Sequence, residues 1–302
     1  MGKIAFVFSG QGDQYAGMGK ELKDKYPSAL NVFETLDSIR PNTSTQCFEG
    51  SDEELKQTKN TQPCLFAMEM AGATVLKEAG IIPSAVAGFS LGEVVALTFA
   101  GSVSLEDGFK IVCKRGEIMQ QEAEKYETSM VAVVKLSAEI VKELAQQYSE
   151  VYPVNFNCPG QISVAGSCEQ IVKFSEDVKN AGGRALPIRV KGAFHSPYMK
   201  TASSEFAEYT SGVEFKKPEI ALYSNLTSKP YGDNIHELLS NQICNPVLWE
   251  YTIRNMIDAG IDTFIEIGPA KTLSNMIAKI SSEVKTYSIS NIEQILLEVK
   301  ND

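Results

Sequence analysis

The chain has 302 residues, of which 43% are hydrophobic and 22% are charged, a composition typical of soluble globular proteins with a large core. Its formal charge of −10 at pH 7 argues against a general nucleic-acid binder, because a phosphate backbone requires a broad basic face. No apolar run approaches the roughly 20 residues that a membrane-spanning helix needs, so we expect a soluble protein that does not enter a membrane.

The cysteines and histidines give little support for a metal site. The six cysteines are scattered without a C-x-x-C pair, and the two histidines lie in no close Cys/His cluster, so we expect reduced thiols and no bound metal. The first apolar segment, residues 4–8, is too short to be the hydrophobic part of a signal peptide. It predicts a first core strand in a cytoplasmic protein.

A glycine-rich turn, residues 9–14, directly follows that first strand. Such a turn brings backbone N–H groups close to a ligand or an oxyanion, although an ordinary surface turn explains the glycines equally well. A polar connection then covers residues 40–62. An apolar helix is predicted over 64–79.

The next segment contains the pattern Gly-x-Ser-x-Gly at residues 88–92, between an apolar strand and an apolar helix. In that setting the pattern is typical of a nucleophile elbow, which exposes its serine hydroxyl at the tip of a sharp turn. Ser90 would also lie at a helix N-terminus, which favours a developing negative charge. A turn that merely tolerates glycine and serine is the alternative, and the flanking elements favour the nucleophile.

One arginine is predicted to point into the protein. A helix over 105–122 places Arg115 on the same face as four apolar residues, Ile111, Val112, Ile118 and Met119. A buried guanidinium is costly unless it meets an anion. Either an internal carboxylate pairs with it, or it binds a substrate carboxylate through two parallel hydrogen bonds.

The pattern of predicted strands and helices changes over residues 127–191. Strands and helices are predicted there in the order βαββαβ, with the last strand over 184–190, and this order is typical of a ferredoxin-like unit. The end of this segment carries four basic residues with no Asp or Glu between them: Lys179, Arg184, Arg189 and Lys191. They form either a solvated edge or a local surface for anionic partners.

The chain offers two histidines as a base for a nucleophilic serine. His236 lies in a polar position of an amphipathic helix and is predicted to be at the surface. His195 lies in a small, turn-forming segment at a domain junction, where sites tend to form. We therefore predict His195 as the base, oriented by a backbone carbonyl because no carboxylate is obviously placed to do so.

These elements together predict an α/β protein. Its main body covers residues 1–126 and 192–302, with further strands at 219–224 and 264–267 and a helix at 249–259. A compact subdomain at 127–191 is inserted into that body.

The set of motifs resembles the malonyl-CoA:acyl carrier protein transacylases and the related acyltransferase domains of polyketide synthases. The resemblance covers nearly the whole chain, and its markers occur in the expected order. They are Gly10-Gln11-Gly12, Thr61-Gln62-Pro63, Gly88-Phe89-Ser90-Leu91-Gly92-Glu93, Lys114-Arg115-Gly116, Asn155-Phe156-Asn157-Cys158-Pro159-Gly160-Gln161, Ala193-Phe194-His195-Ser196, Asn245-Pro246-Val247-Leu248-Trp249 and Glu266-Ile267-Gly268-Pro269.

The resemblance implies a role for each candidate residue. Ser90 would attack the malonyl thioester and His195 would take its proton, while the backbone N–H groups of Gln11 and Leu91 form the oxyanion hole. Arg115 would hold the malonyl carboxylate, and Asn157 and Phe194 would line the acyl pocket. The backbone carbonyl of Leu248 would orient the histidine.

The resemblance also implies an α/β-hydrolase-like body with a ferredoxin-like insertion, in a cytoplasmic monomer. Malonyl-CoA and acyl carrier protein would be its partners, and no cofactor would be needed. Fatty acid synthesis is the default pathway, and a polyketide-synthase acyltransferase acting in trans is an alternative. A hydrolase of the same fold that strips acyl groups from carrier proteins is another, but it would have no use for an inward cation such as Arg115.

Three positions depart from the family pattern and bear on acyl selectivity. Phe89 stands where histidine is common, Asp13 where serine is frequent and Ser9 where proline is usual. The segment Ala193-Phe194-His195 resembles its malonyl-selective version, in which the bulk of Phe194 leaves little space for an α-methyl group.

Overall fold

The computed structural model describes residues 2–299 and contains two separate β-sheets. The first sheet is parallel, five-stranded and ordered β7-β2-β1-β8-β9. Its strands are β1 (Lys3–Phe8), β2 (Ala85–Gly88), β7 (Ala221–Tyr223), β8 (Ile261–Ile267) and β9 (Lys285–Ser288). The central strand β1 and its neighbour β2 are almost wholly buried, as expected of a parallel sheet covered by helices on both faces.

The second sheet is antiparallel and ordered β4-β5-β3-β6. Its strands are β3 (Thr128–Val134), β4 (Val151–Cys158), β5 (Gln161–Ser167) and β6 (Arg184–Pro187), and its helices are α8 (Ala138–Ala145) and α9 (Cys168–Asn180). These six elements have a hydrophobic core of their own. A single parallel bridge between Asn155 and Val247 connects β4 to the rest of the chain.

Twelve further α-helices are described within residues 2–299. They are α1 (Lys20–Lys25), α2 (Pro27–Ile39), α3 (Thr43–Glu49), α4 (Asp52–Leu55), α5 (Thr58–Glu78), α6 (Gly92–Phe99), α7 (Leu105–Ala123), α10 (Lys200–Thr210), α11 (Ile235–Gln242), α12 (Trp249–Asp258), α13 (Thr272–Ile280) and α14 (Ile292–Glu298). None of the helices in the described range is long and apolar enough to cross a lipid bilayer.

Several element boundaries differ from the sequence predictions, and two of them lie beside the candidate site. Helix α5 begins at Thr58, six residues before the predicted start, and contains Pro63. Strand β6 ends at Pro187 rather than Val190, and the residues after it follow the rim of a cavity. Both of these boundaries lie beside the candidate site, and functional sites are where local sequence patterns are least informative.

The parallel sheet explains where a site forms. Strands β1, β2, β7 and β8 run in the same direction, so their carboxyl ends meet at one edge of the sheet. The residues that follow those strands include the glycine-rich turn after β1, the Gly-x-Ser-x-Gly segment after β2 and Asn225 after β7. Residues distant in sequence are therefore brought together there.

Candidate active site

The turn between β2 and α6 has the geometry of a nucleophile elbow. Ser90 is a non-glycine residue in the left-handed region, with φ of 55°, which is typical of strained functional turns. A Cβ at Gly88 would lie 1.8 Å from the backbone of Gly92, and one at Gly92 would lie 2.4 Å from the carbonyl oxygen of Phe8. Only glycine at these two positions allows the strand, the helix and β1 to pack so closely.

The elbow brings Ser90 to His195, which is 105 residues away in the sequence. The Ser90 Oγ lies 2.7 Å from the His195 Nε2, within hydrogen-bonding distance for transfer of a proton. His195 is buried and also has a positive φ, 61°. His236 lies elsewhere, with its Nε2 2.9 Å from the carbonyl oxygen of Ala207.

The other nitrogen of His195 contacts a carbonyl that the sequence analysis did not predict. Its Nδ1 lies 2.9 Å from the carbonyl oxygen of Gln242, so a proton on Nδ1 leaves Nε2 free to accept one. The prediction that Leu248 supplies this carbonyl is wrong. The Leu248 oxygen accepts hydrogen bonds from Thr252 inside α12, because the first turn of a helix uses the carbonyl that precedes it.

Arg115 points inward from α7 and is fully buried. Its guanidinium donates to Gln62 Oε1 at 2.9 Å, to Gln242 Oε1 at 2.8 Å and to Ser90 Oγ at 3.2 Å. Within residues 2–299 no carboxylate forms an ion pair with it, and its Nε has no acceptor. The internal salt bridge considered from the sequence is therefore absent, and a buried cation lies directly beside the serine.

Burial lowers the pKa of both ionisable side chains that contact Ser90, namely those of His195 and Arg115. Desolvation, followed by the positive charge of Arg115, lowers the pKa of His195 to about 4. At neutral pH the imidazole is therefore uncharged and able to accept a proton. Desolvation also lowers the pKa of Arg115 to about 10, which still leaves the guanidinium positively charged.

Two amide side chains hold the elbow in place and were not assigned roles from the sequence. Asn225 accepts from the Ser90 N–H at 2.7 Å and donates to the Gly88 carbonyl at 2.6 Å. Gln242 donates from its side chain to the Ser90 carbonyl at 2.7 Å and to Glu93 Oε2 at 2.8 Å. No local pattern marks either residue, because their roles depend on a meeting of separate segments.

We expect Asn225→Ala to destabilise the protein. Because the substitution removes the partners of two backbone groups at the elbow, we expect a loss of about 1–3 kcal/mol in the free energy of unfolding, seen as a melting temperature lower by several degrees. Thermal unfolding followed by circular dichroism measures this. Asn291→Ala is the matched control, at an exposed asparagine whose side chain bonds only to Gln294 within residues 2–299. Equal melting temperatures for the two variants would contradict the expected role.

A cavity of about 290 Å³ opens beside Ser90, between the two sheets. Asn157 and Phe194, predicted to line the acyl pocket, and Gln11 and Leu91, predicted to form the oxyanion hole, all lie in its wall. Apolar side chains provide much of the remaining wall: Met119, Met130, Ala132, Ile188, Val190 and Met276. Within residues 2–299 the backbone N–H groups of Gln11 and Leu91 make no hydrogen bond to protein, so both are available to an oxygen atom at Ser90.

The three residues that depart from the family pattern all have packing partners. Phe89 lies edge-on to Trp249, with ring centroids 5.6 Å apart. Asp13 accepts a hydrogen bond from Thr272 at 2.6 Å, and Ser9 donates to the buried Glu69. Phe89 and Asp13 also line the cavity, so these departures alter its wall without displacing Ser90, His195 or Arg115.

No group of three or more His, Cys, Asp or Glu side chains in the described part of the chain is arranged to hold a metal ion.

Comparison with known proteins gives a consistent result. The sequence profile of the acyl transferase domain family matches residues 5–293. A malonyl CoA-acyl carrier protein transacylase of Bacillus subtilis is 38% identical over 308 residues, which cover 99% of this chain and 97% of that protein. A protein of the same name from Staphylococcus aureus is 35% identical, with full coverage of both chains.

Solved structures agree with the sequence relatives. The malonyl CoA-acyl carrier protein transacylase of Clostridium perfringens superposes with a TM-score of 0.96 at 35% identity and covers 99% of this chain and 98% of its own. A malonyl-transacylase in complex with a type II polyketide-synthase acyl-carrier protein superposes with a TM-score of 0.95 at 30% identity, covering 99% of this chain and all of its own.

Proposed function

The chain belongs to the acyl transferase domain family, and on that premise we propose that it transfers a malonyl group from malonyl-CoA to the phosphopantetheine thiol of acyl carrier protein. A malonyl ester of Ser90 is the intermediate. The observation that carries the malonyl assignment is Arg115, a fully buried cation 3.2 Å from the Ser90 hydroxyl that forms no ion pair with a carboxylate within residues 2–299. Buried charges need such a partner, and the free carboxylate of malonate supplies one.

In the first half-reaction, His195 removes the proton of Ser90 as the oxygen attacks the thioester carbonyl. The 2.7 Å contact and the neutral imidazole favour this role. The C–S bond then breaks, and the proton held on Nε2 passes to the departing thiol of coenzyme A. The Gln242 carbonyl at Nδ1 stabilises the imidazolium that forms between these steps.

The negative charge on the attacked carbonyl oxygen would be stabilised by the N–H groups of Gln11 and Leu91. Each such donor typically lowers the activation barrier of an acyl transfer by about 2.7–4 kcal/mol. Leu91 is the N-cap residue of α6, so the helix N-terminus adds a favourable partial charge. Asn157 and Phe194 would shape the acyl pocket, with Phe194 leaving little space for an α-methyl group.

In the second half-reaction the phosphopantetheine thiol of the carrier protein gives its proton to His195 and attacks the malonyl ester. Ser90 then leaves and recovers the proton. Neither half-reaction requires a redox or metal cofactor, since bonds are only exchanged between oxygen and sulfur. Arg115 helps the thiol by fixing the orientation of the acyl group.

We further propose the finer description of the architecture. The five-stranded body, residues 1–126 and 192–302, is α/β-hydrolase-like, and residues 127–191 form a ferredoxin-like subdomain. The βαββαβ element order and the strand order of the antiparallel sheet support the second assignment. We also propose a cytoplasmic location, because all six cysteines are free thiols, which is typical of that compartment. A monomer is proposed from the family resemblance alone.

The basic segment, residues 179–191, is proposed to receive the carrier protein. Lys179, Arg184, Arg189 and Lys191 are exposed, and none of them forms an ion pair within the described residues. Arg189 lies between Ile188 and Val190, which line the cavity. A positive surface at the rim of the pocket suits an acidic partner and an anionic prosthetic arm.

We expect the double charge reversal Arg184→Glu with Arg189→Glu to raise KM for acyl carrier protein more than KM for malonyl-CoA, because it repels an acidic partner. Steady-state kinetics with each substrate varied in turn measures the difference. Lys216→Glu with Lys217→Glu, a pair of exposed lysines outside the basic segment, changes net charge equally and is the control. An unchanged KM for carrier protein would show that the segment is only a solvated edge.

The pathway has two candidates. Fatty acid synthesis is the default for this activity, and a polyketide pathway is favoured by the similarity to a transacylase in complex with a polyketide carrier protein. A hydrolase that removes neutral acyl groups from carrier proteins is disfavoured, because Arg115 would leave a buried charge beside an uncharged substrate.

Intact-mass analysis tests the proposed function. The protein is incubated with malonyl-CoA alone, and then with holo acyl carrier protein. We expect one malonyl group on Ser90 in the first case and its transfer to the carrier in the second. Release of free malonate would indicate a hydrolase, and an unmodified Ser90 would indicate a binding module without activity.

A further inference from the structure

Glu93 is a buried acid in the active-site region to which the acyl-transfer steps assign no role. It follows the elbow as the second residue of α6, a helix whose residues are all buried, and is itself 0% exposed. An ionised carboxylate in such a position is costly unless other groups compensate for it. Its surroundings therefore indicate what it does.

Two side chains and one backbone group donate hydrogen bonds to the Glu93 carboxylate. Tyr231 donates its hydroxyl to Oε1, which also accepts from the Asn225 N–H at 3.2 Å. Gln242 donates its Nε2 to Oε2 at 2.8 Å. All three groups donate to the carboxylate, which favours its ionised form, whereas its burial favours the protonated form.

Gln242 connects this carboxylate to Arg115. Its Nε2 faces Glu93 while its Oε1 accepts from the Arg115 guanidinium at 2.8 Å. The opposite amide orientation would place Oε1 against the Glu93 carboxylate and the Ser90 carbonyl, so the hydrogen bonds fix the orientation. One amide thus separates a buried cation from a buried anion and is polarised by both.

The charge balance of this region changes when an anionic acyl group arrives. Without it, Arg115 is partly compensated by Glu93 across the amide. A carboxylate on Arg115 adds a second negative charge to the same buried region, where charges are weakly screened. One of the two negative charges is then no longer compensated, and protonation of Glu93 removes it.

We propose that Glu93 is a positioning residue that holds Arg115 in place through Gln242 and takes up a proton from solvent when the acyl carboxylate pairs with Arg115. The inference rests on the proposed malonyl transfer. No covalent bond to substrate is involved, and the proton on Glu93 is released when the malonyl group leaves. This arrangement of Glu93, Gln242 and Arg115 makes Arg115 selective for an anionic acyl group. It does so without leaving either the guanidinium or the carboxylate permanently uncompensated.

The titration of Glu93 agrees with this geometry. Burial raises the pKa of Glu93 to about 7, and the hydrogen bonds from Tyr231, Gln242 and Asn225 and the charge of Arg115 oppose that rise. Tyr231 and Arg115 are the titratable groups acting on it. Once protonated, Glu93 can donate to the Tyr231 hydroxyl, because a hydroxyl both donates and accepts.

The proposal is tested by counting protons during a single round of loading. Stoichiometric malonyl-CoA is mixed with the protein in weak buffer containing a pH indicator, and intact mass reports malonylation of Ser90 in the same sample. The transfer itself is proton-neutral, since a hydroxyl is replaced by a thiol. We expect uptake of up to about half a proton per malonylated Ser90 at pH 7, where a group with a pKa of about 7 is half protonated.

Two variants and a neutral substrate make the result decisive. Glu93→Gln is expected to lose the uptake, and Tyr231→Phe to move its pH dependence upward, because it removes a hydrogen bond that lowers the Glu93 pKa. Acetylation of Ser90 by acetyl-CoA should give no uptake. Uptake that persists in malonylated Glu93→Gln, or its absence in malonylated wild type between pH 6 and 8, would overturn the proposal. If mass analysis instead shows that Ser90 of the wild-type protein is not malonylated, the proposed function is rejected, and this inference is rejected with it.

Discussion

Replacing Arg115 with alanine is expected to lower kcat/KM for malonyl loading of Ser90 by a factor between about 30 and several thousand. Removing one member of a buried charged pair costs about 2–5 kcal/mol, and each 1.36 kcal/mol is a factor of ten in rate. The guanidinium lies 3.2 Å from Ser90 Oγ, so its loss removes the group that would orient the malonyl carboxylate. Loading from acetyl-CoA, which has no carboxylate, should be spared or enhanced.

The neighbouring cation provides the control for this substitution. Lys114 lies on another face of α7, where its side chain is 33% exposed and 3.8 Å from Glu205, and Lys114→Ala should leave the ratio of malonyl to acetyl loading unchanged. Thermal unfolding of both variants separates a loss of folding from a loss of substrate binding. Malonyl loading that survives Arg115→Ala unchanged would contradict the assigned role.

Replacing His195 with alanine is expected to slow Ser90 malonylation by about 10²–10⁴-fold, the typical contribution of a positioned general base. The effect should fall on kcat, because the imidazole contacts the reacting oxygen rather than the carboxylate end of the acyl group. Single-turnover loading measured by mass spectrometry checks this. His236→Ala is the matched control, since His236 contacts the Ala207 carbonyl instead, and an equal loss in both variants would refute His195 as the base.

The pH dependence of loading follows from the same residue. Only neutral imidazole accepts a proton, and the folded-state pKa of His195 is lowered to about 4 from its usual 6.5. The base therefore remains neutral as pH falls through 6.5 and is lost only near pH 4. Loading rates from short incubations at saturating malonyl-CoA, where linkage to Glu93 does not limit binding, should be maintained from pH 8 to pH 5. A midpoint near 6.5 that disappears in His195→Ala would contradict this pKa shift.

The elbow could be found from the sequence because its signal is local. Two glycines at fixed spacing, a strand before them and a helix after them are contained within a few residues, so Ser90 is placed by short-range constraints. The inward position of Arg115 is also local, since apolar residues three and four positions away define the buried face of α7. His195 could be identified as the base by elimination, because the chain has only two histidines and the other was predicted to be at the surface.

The residues that position these groups could not be found in the same way. Leu248 was predicted to orient His195, but Gln242 does so because α11 ends at the histidine while the Leu248 carbonyl is used by α12. The contacts of Gln242 and Asn225 with the elbow join residues 135 to 152 positions apart in the chain. Such pairings depend on strand order, which periodicity alone does not determine.

The central claim is that the Ser90 hydroxyl, the His195 imidazole and the Arg115 guanidinium act on one malonyl group. The most direct measurement is a crystal structure of His195→Ala after incubation with malonyl-CoA, in which slow turnover retains the acyl ester. We predict an ester on Ser90 whose free carboxylate accepts two hydrogen bonds from Arg115. An ester whose carboxylate points away from Arg115, with the guanidinium bound only to protein atoms such as Gln62 and Gln242 Oε1, would contradict this claim.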